Sequence, residues 1–311
     1  MESKIILSIC IPTYNRDWCV KEQIERIEQC PESIKQDVEF IISDNCSTDN
    51  TESVARDAVH SDLGIKYTYV RNTENEGMDG NFVQCFNLSK GKYVWLLGDD
   101  DYLNIQILPN LLELLKKDEY GLVHISQSDE TFPDGLIELE NYKDYLKRVG
   151  VYITFISANI FRADYVRKAG IKWDTYRGTL FSQLPMYVVA SHATSKNAII
   201  NMPILDACHD AVNNGGYNFF KTWVSNYLYV WSTFKEKGII TNQFYYWNKR
   251  NMFYFVWGYT KKLLIRKDKG NFKTENGWRI LFKYYGNEWY FWWTLFKYPF
   301  GVFKRKIKKL L

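Results

Sequence analysis

Three adjacent aspartates, Asp99, Asp100 and Asp101, lie near the end of the stretch YVWLLGDDDYL at residues 93–103. Neighbouring carboxylates repel one another, so a fold that gathers three of them gives them a positive partner. A divalent cation is one such partner, because Mg²⁺ and Mn²⁺ prefer oxygen ligands and commonly accompany phosphate. An acidic loop that caps the following helix is the other reading. Two more polar clusters stand where apolar runs end. Thr13, Tyr14 and Asn15 follow KIILSICIP, which closes on Pro12, and DNCSTD (Asp44 to Asp49) follows VEFIIS.

The elements that must position these clusters alternate. KIILSICIP is a continuous apolar, β-branched run suited to a strand buried on both faces. NRDWCVKEQIERIEQC has helical spacing, with Val20, Ile24 and Ile27 on one side. VEFIISD reads as a second strand, and STDNTESVARDAVH as a second helix with Ser47 at its N-cap. IKYTYVRN is a shorter third strand. GNFVQCFNLSKG is a helix ending at a C′ glycine, Gly91. KYVWLLGDDD is a fourth strand, followed by a helix over NIQILPNLLELLKKDE and a strand over YGLVHIS. Such alternation predicts an α/β fold, a mostly parallel sheet with helices on both faces. Ligands of such sheets bind beyond the carboxyl ends of the strands, and all three clusters are expected on that edge.

Beyond residue 130 the pattern weakens. SANIFRADYVRKAGIKWD reads as a strand into a helix, GTLFSQLPMYVVASHA as a buried helix, and NAIINMPILDACHDAVNNGGY as a strand or hairpin before a turn-rich loop. Gly215–Gly216 is the expected boundary between a domain over 1–215 and a helical, aromatic and basic region over 216–311.

The chain has 311 residues and a net charge of +4, with 17% aromatic residues. Residues 261–311 hold 14 Lys/Arg against 3 Asp/Glu, which leaves 26 against 33 for the remainder. An acidic body thus carries a basic tail. The six cysteines show no metal-ligand spacing and read as free thiols in a reducing compartment. MESKIILSICIP lacks the features of a signal peptide. No apolar run reaches the roughly 18 residues needed to cross a bilayer.

In this order and spacing, IPTYNR, DNCSTDNT, NTENEGMDGNF and WLLGDDDYL resemble the family 2 glycosyltransferases, inverting enzymes of the GT-A fold common in bacterial surface-polysaccharide assembly. The resemblance covers about residues 5–215. The GDDD form and GTLFSQLP look closer to the branch containing abequosyltransferase-like enzymes than to processive synthases, whose QxxRW motif is absent. The resemblance implies a nucleotide-sugar donor, UDP- or dTDP-linked, and Mn²⁺ or Mg²⁺. Asp99 is implied near the ribose and Asp101 on the metal, with Asp100 on the metal in the other register. Pro12, Thr13, Tyr14 and Asn15 would line the nucleotide pocket. Asp44 would accept from the base or cap the helix after NCST. Gly77 would allow close backbone approach, and Asn81 would cap its helix or reach the nucleotide. His209 is implied beside the diphosphate and metal, or stands exposed in a loop. The family's ED pair, which supplies the general base, is missing. Asp174 is the first candidate for that role and Asp210 the second.

Residues 289–303, WYFWWTLFKYPFGVF, precede KRKIKKLL. Trp and Tyr favour the membrane interface, and clustered Lys/Arg is drawn to anionic lipid by about 1 kcal/mol per residue. Lys297 and Pro299 interrupt the apolar run, so the tail is expected to lie on the inner face of the membrane, where a cytoplasmic enzyme would meet a lipid-linked saccharide acceptor. A helical core with a solvated basic end is the alternative. Nucleic acid is not expected, because the body is acidic. The rival functions are a nucleotidyltransferase, which would need a glycine- and arginine-rich phosphate loop not found in PTYNRDWC, and a non-catalytic sugar-binding module.

Overall fold

The structure, a computed structural model, describes residues 5–60, 63–117, 120–126, 135–207, 215–268 and 270–307, with side chains as far as Tyr298. It contains two compact units, residues 1–211 and 212–311.

The first unit is built on β1 (Leu7–Thr13), β2 (Val38–Asp44), β3 (Tyr67–Arg71), β4 (Tyr93–Leu96), β5 (Asp101–Leu103), β6 (Leu122–Ser126), β7 (Leu136–Leu139), β8 (Asn159–Arg162), β9 (Asn197–Asn201) and β10 (Leu205–Ala207). Its helices are α1 (Asp17–Ile27), α2 (Thr51–Val59), α3 (Gly77–Leu88), α4 (Leu108–Lys116), α5 (Tyr142–Val149), α6 (Ala163–Lys168) and α7 (Gln183–His192). Eight strands form one sheet in the order β3-β2-β1-β4-β8-β6-β9-β7. Parallel pairing joins β3, β2, β1 and β4, and also β6 and β9, whereas β8 and β7 run against their neighbours. The mostly parallel α/β sheet is therefore present. Leu7, Ile9 and Ile11 on one face of β1 are buried with Trp95, Leu97, Val20, Ile24 and Leu111, and Ser8 and Cys10 on the other face are buried too, as expected of a central strand covered on both faces.

Two capping expectations are corrected. Ser47 does not cap α2, because the helix starts at Thr51 after Asn50, and Ser47 Oγ instead accepts from Asn15 N at 2.8 Å. Gly91 is not a C′ residue, because α3 ends at Leu88 and Ser89 turns to an extended conformation. A Cβ on Gly91 would sit 2.6 Å from Ser8 N, so glycine is needed there for close approach to β1. The fourth strand ends at Leu96, and the chain turns at Gly98, where Asp101 N donates to Gly98 O at 3.1 Å. Asp101 then opens β5, which pairs with β10.

The second unit contains α8 (Tyr227–Glu236), α9 (Asn242–Thr260), α10 (Gly277–Tyr285), α11 (Trp289–Ile307) and a parallel pair of short strands, β11 (Gly215–Asn218) and β12 (Asn271–Lys273). Aromatic residues fill its interior: Phe253 packs on Trp257, Tyr285, Tyr290 and Phe291 with ring centroids 5.1–6.2 Å apart. Among the described residues no helix is long and apolar enough to cross a membrane.

Candidate functional site

β1 and β2 run in parallel register with Thr13 opposite Asp44, and Leu97 N donates to Cys10 O on the other side of β1. The three polar clusters thus leave the sheet along one edge, at the carboxyl ends of its strands. Two of them touch. Thr13 Oγ1 donates to Asp99 Oδ2 at 2.7 Å. Arg16 Nη1 lies 2.5 Å from Asp99 Oδ1 and 2.9 Å from Asp100 Oδ2. Burial disfavours the Arg16 charge, but Asp99 and Asp100 outweigh it and raise the pKa. Burial pushes Asp99 up to about 6, against the opposing effects of Arg16 and Thr13. Asp101 is also raised, first by burial, and Ser157 works against that shift. One guanidinium faces three carboxylates here, so negative charge remains in excess.

That excess gathers at one point. Ser157 Oγ accepts from Gly98 N at 2.8 Å and donates to Asp101 Oδ2 at 2.6 Å. A Cβ built on Gly98 would lie 3.0 Å from Asp101 Oδ2, 3.1 Å from Asp100 Oδ1 and 3.2 Å from Ser157 Oγ. Three oxygens from three residues therefore crowd the position a Cβ would take, and a side chain at residue 98 would have to displace them by a few tenths of an ångström.

The other expected nucleotide-site residues are held in different ways. Tyr14 is exposed at the edge, beside half-buried Pro12. Asn15 adopts φ 52° and its Oδ1 accepts from Thr48 N at 2.7 Å, which ties the two loops together. Asp44 is fully buried; Oδ1 accepts from Ser47 N at 2.8 Å and Oδ2 from Tyr69 OH at 2.9 Å, with Arg71 Nε 3.6 Å away. Gly77 opens α3 with φ 69°, and its carbonyl accepts from Asn45 Nδ2 at 3.2 Å. Asn81 is buried and clamps α3 to β2, donating to Ser43 O at 2.9 Å and accepting from Ser43 Oγ at 2.6 Å.

Asp174 is exposed and lines a cavity of about 410 Å³ along α3, to which none of the three aspartates contributes. His209 and Asp210 lie outside the described residues; the last described residue before them is Ala207, paired with Asp101 across β10 and β5. Asp79, which the sequence did not single out, is buried and accepts from Leu180 N at 2.8 Å and Ser182 N at 3.0 Å. It thereby holds Leu180 at φ 63°, a conformation costly for a residue with a large side chain.

The sequence model described as glycosyl transferase family 2 matches residues 8–163, half of the chain. The chain belongs to glycosyl transferase family 2. It is 36% identical over 137 residues to abequosyltransferase RfbV of Salmonella typhimurium, covering 44% of this chain and 40% of that one. It is 32% identical over 134 residues to the GalNAc(5)-diNAcBac-PP-undecaprenol beta-1,3-glucosyltransferase of Campylobacter jejuni, covering 43% and 39%. The aligned part thus spans about two fifths of those relatives' lengths. Among solved structures, S. aureus TarS 1–349 in complex with UDP-GlcNAc superposes with a TM-score of 0.62 at 15% identity, covering 84% of this chain and 76% of TarS. The mannosyltransferase PcManGT of Pyrobaculum calidifontis, in complex with GDP-Man and Mn²⁺, gives 0.52 at 15% identity, covering 81% and 74%. At these identities the likeness is one of fold, and that fold is GT-A.

The edge of this family 2 protein fits a divalent cation of the Mg²⁺ or Mn²⁺ kind. Asp100 and Asp101 converge beside the Gly98 turn with more negative charge than Arg16 balances, and such ions are commonly held by one or two carboxylates plus substrate phosphates. Among the described residues no group of three or more His, Cys, Asp or Glu is arranged to hold a metal ion. Both oxygens of Asp99 are engaged, by Arg16 and Thr13, so within the protein Asp99 acts as the anchor of the turn. Sequence reasoning passed over Arg16, although a cation directly after TYN was a usable signal. Ser157 and Gln183 carried no local signal. Gln183 is buried, donates through Nε2 to Thr154 O at 3.0 Å, and leaves Oε1 without a partner among the described residues.

Proposed function

We propose that this protein is a metal-dependent, inverting glycosyltransferase that moves one sugar from a nucleoside diphosphate donor to a lipid-linked saccharide in surface-polysaccharide assembly. The observation that carries the reading is the convergence of Thr13, Arg16 and Asp99–Asp101 around the Gly98 turn. Supporting it are the family match and relatives whose names specify an abequosyl and an undecaprenol-linked glucosyl transfer.

In the reaction an acceptor hydroxyl oxygen bonds to the anomeric carbon as the bond from that carbon to the diphosphate oxygen breaks. The electron pair leaves with the diphosphate, and the hydroxyl proton passes to a carboxylate, Asp174 or Asp210. A divalent ion held by Asp101 and Asp100 would neutralise charge on the departing diphosphate. Arg16 stands in the same place with its charge fixed, and would exchange its carboxylate partners for phosphate oxygens when the donor enters. Tyr14 is the exposed ring available to a pyrimidine, UDP- or dTDP-linked, and His209 would close on the diphosphate. Separate Asp174→Asn and Asp210→Asn variants, assayed for turnover with donor binding checked, distinguish the bases: the true base loses turnover and keeps binding.

Residues 216–311 are read as the membrane-facing part, on the cytoplasmic side. On α11, Trp289, Trp292, Trp293 and Phe296 recur at helical spacing and are 66%, 53%, 49% and 63% exposed. Trp278 and Phe282 of α10 extend this aromatic face, with Phe282 and Trp292 rings 6.0 Å apart. Large aromatics beside basic residues suit the interface of an anionic bilayer. Sedimentation with phosphatidylglycerol vesicles tests this: the wild type is expected to pellet in low salt, and a Trp289→Ser, Trp293→Ser, Phe296→Ser variant to stay in solution.

A further inference from the structure

The cavity along α3 has its own chemistry. Gly80, Val83, Gln84 and Asn87 form one stripe of the helix that lines the cavity with Trp173 and Asp174, while Asn81, Phe82 and Cys85 are buried on the opposite side and Phe86 at its flank. Its volume of about 410 Å³ falls within the roughly 300–1,000 Å³ usual for small-ligand sites. Trp173 packs edge-on to Phe86 with centroids 5.8 Å apart, which fixes the indole as a wall. The side chains of Gln84, Asn87 and Asp174 make no hydrogen bond or ion pair among the described residues.

The charges of the lining exclude some ligands. Arg177 Nη1 is committed to Glu76 Oε2 at 2.8 Å. Arg71 is held by Glu52 at 3.3 Å and by Ser47 O at 2.8 Å. The lining sets Arg71 and Arg177 against Glu76, Asp79 and Asp174, a negative balance that disfavours phosphate. Val83 and Trp173 are too little apolar surface for an acyl chain. An indole beside unpaired planar amides and a carboxylate suits a neutral polyhydroxylated ring, whose apolar face covers the indole while its hydroxyls bond the amides.

We propose that this groove binds a saccharide, the glycan part of the acceptor, apart from the diphosphate site. The inference rests on the glycosyltransferase reading above. The test uses the full chain labelled with ¹⁵N-tryptophan, titrated with the methyl glycosides of glucose, galactose, N-acetylgalactosamine and rhamnose. Each is taken to about 50 mM, enough to saturate a site of millimolar Kd. The Trp173 indole cross-peak is identified by its loss in Trp173→Phe. At least one glycoside is expected to shift it saturably, and to do so equally with UDP and Mn²⁺ present. Gln84→Ala with Asn87→Ala, substitutions on the helix surface, should weaken that glycoside about tenfold and leave UDP binding intact.

UDP binding measured on the same sample separates the two claims. UDP binding with no glycoside response overturns the groove alone. A glycoside response without binding of any of UDP, dTDP or GDP overturns its assignment as an acceptor site along with the donor reading. Displacement of the glycoside by UDP would make the groove part of the donor site and would also overturn the proposal.

Discussion

Two stretches of the larger unit reach the reactive edge by different routes. β1, β2 and β4 deliver Thr13, Asp44 and the three aspartates where parallel strands end, so their placement follows from topology. Residues 150–183 deliver Ser157 through a turn, where it bonds Asp101 and Gly98, and the same stretch is held in place by Asp79 at Leu180 and by a bond from Gln183 to Thr154. The first stretch supplies charge, and the second supplies a neutral hydrogen bond, from Ser157, that orients it. Loss from the first should therefore be severe, and loss from the second graded.

The largest effect is expected at Asp101. Asp101→Ala should lower turnover by about 10²–10³-fold, the usual scale for losing one group that stabilises a developing charge, in an assay of donor consumption. Arg16→Ala tests the same stretch through stability. It leaves Asp99 buried without its cation, so chemical denaturation should show a loss of about 3 kcal/mol or more. Asp99→Asn combined with it should restore much of that loss.

The boundary between the stretches carries a pH signature. His124 on β6 is buried against Asn159 of β8, with Nδ1 2.9 Å from Oδ1, and burial lowers its pKa from 6.5 to about 4. The unfolded chain takes up the proton first as pH falls. The folded state is therefore unpenalised above about pH 6.5, and loses stability progressively down to about pH 4. The full loss is about 3 kcal/mol. Denaturation of His124→Gln across this range should be flatter by that amount. Ser157→Ala should have the smallest effect, a loss of about 1–2 kcal/mol, because Gly98 N is left unpaired. Mn²⁺-dependent UDP affinity should fall about tenfold as Asp101 loses its orienting donor. A loss at Ser157 as large as that at Asp101 would break the distinction between the two stretches.

The same contrast explains what could be read from the sequence. Strand–helix alternation and motif order point to the parallel half of the sheet and to the edge where the clusters meet, because both depend on local periodicity. The ends of elements are less legible. Ser47 looked like a cap but answers to Asn15, and Gly91 looked like a helix stop but makes room for Ser8, both partners from distant sequence. Arg16 was visible as a cation, yet its partners lie 83 and 84 positions away. Ser157 and Gln183 belong to no pattern, since a single neutral side chain on a turn leaves no periodic trace.

The most direct measurement is calorimetric binding of UDP, dTDP and GDP to the wild type and to Asp101→Ala, with and without Mn²⁺. The account predicts that one pyrimidine diphosphate binds the wild type, requires the metal, and is lost in the variant. Binding that is indifferent to Mn²⁺ and to Asp101, or no nucleotide binding under any condition, would contradict it.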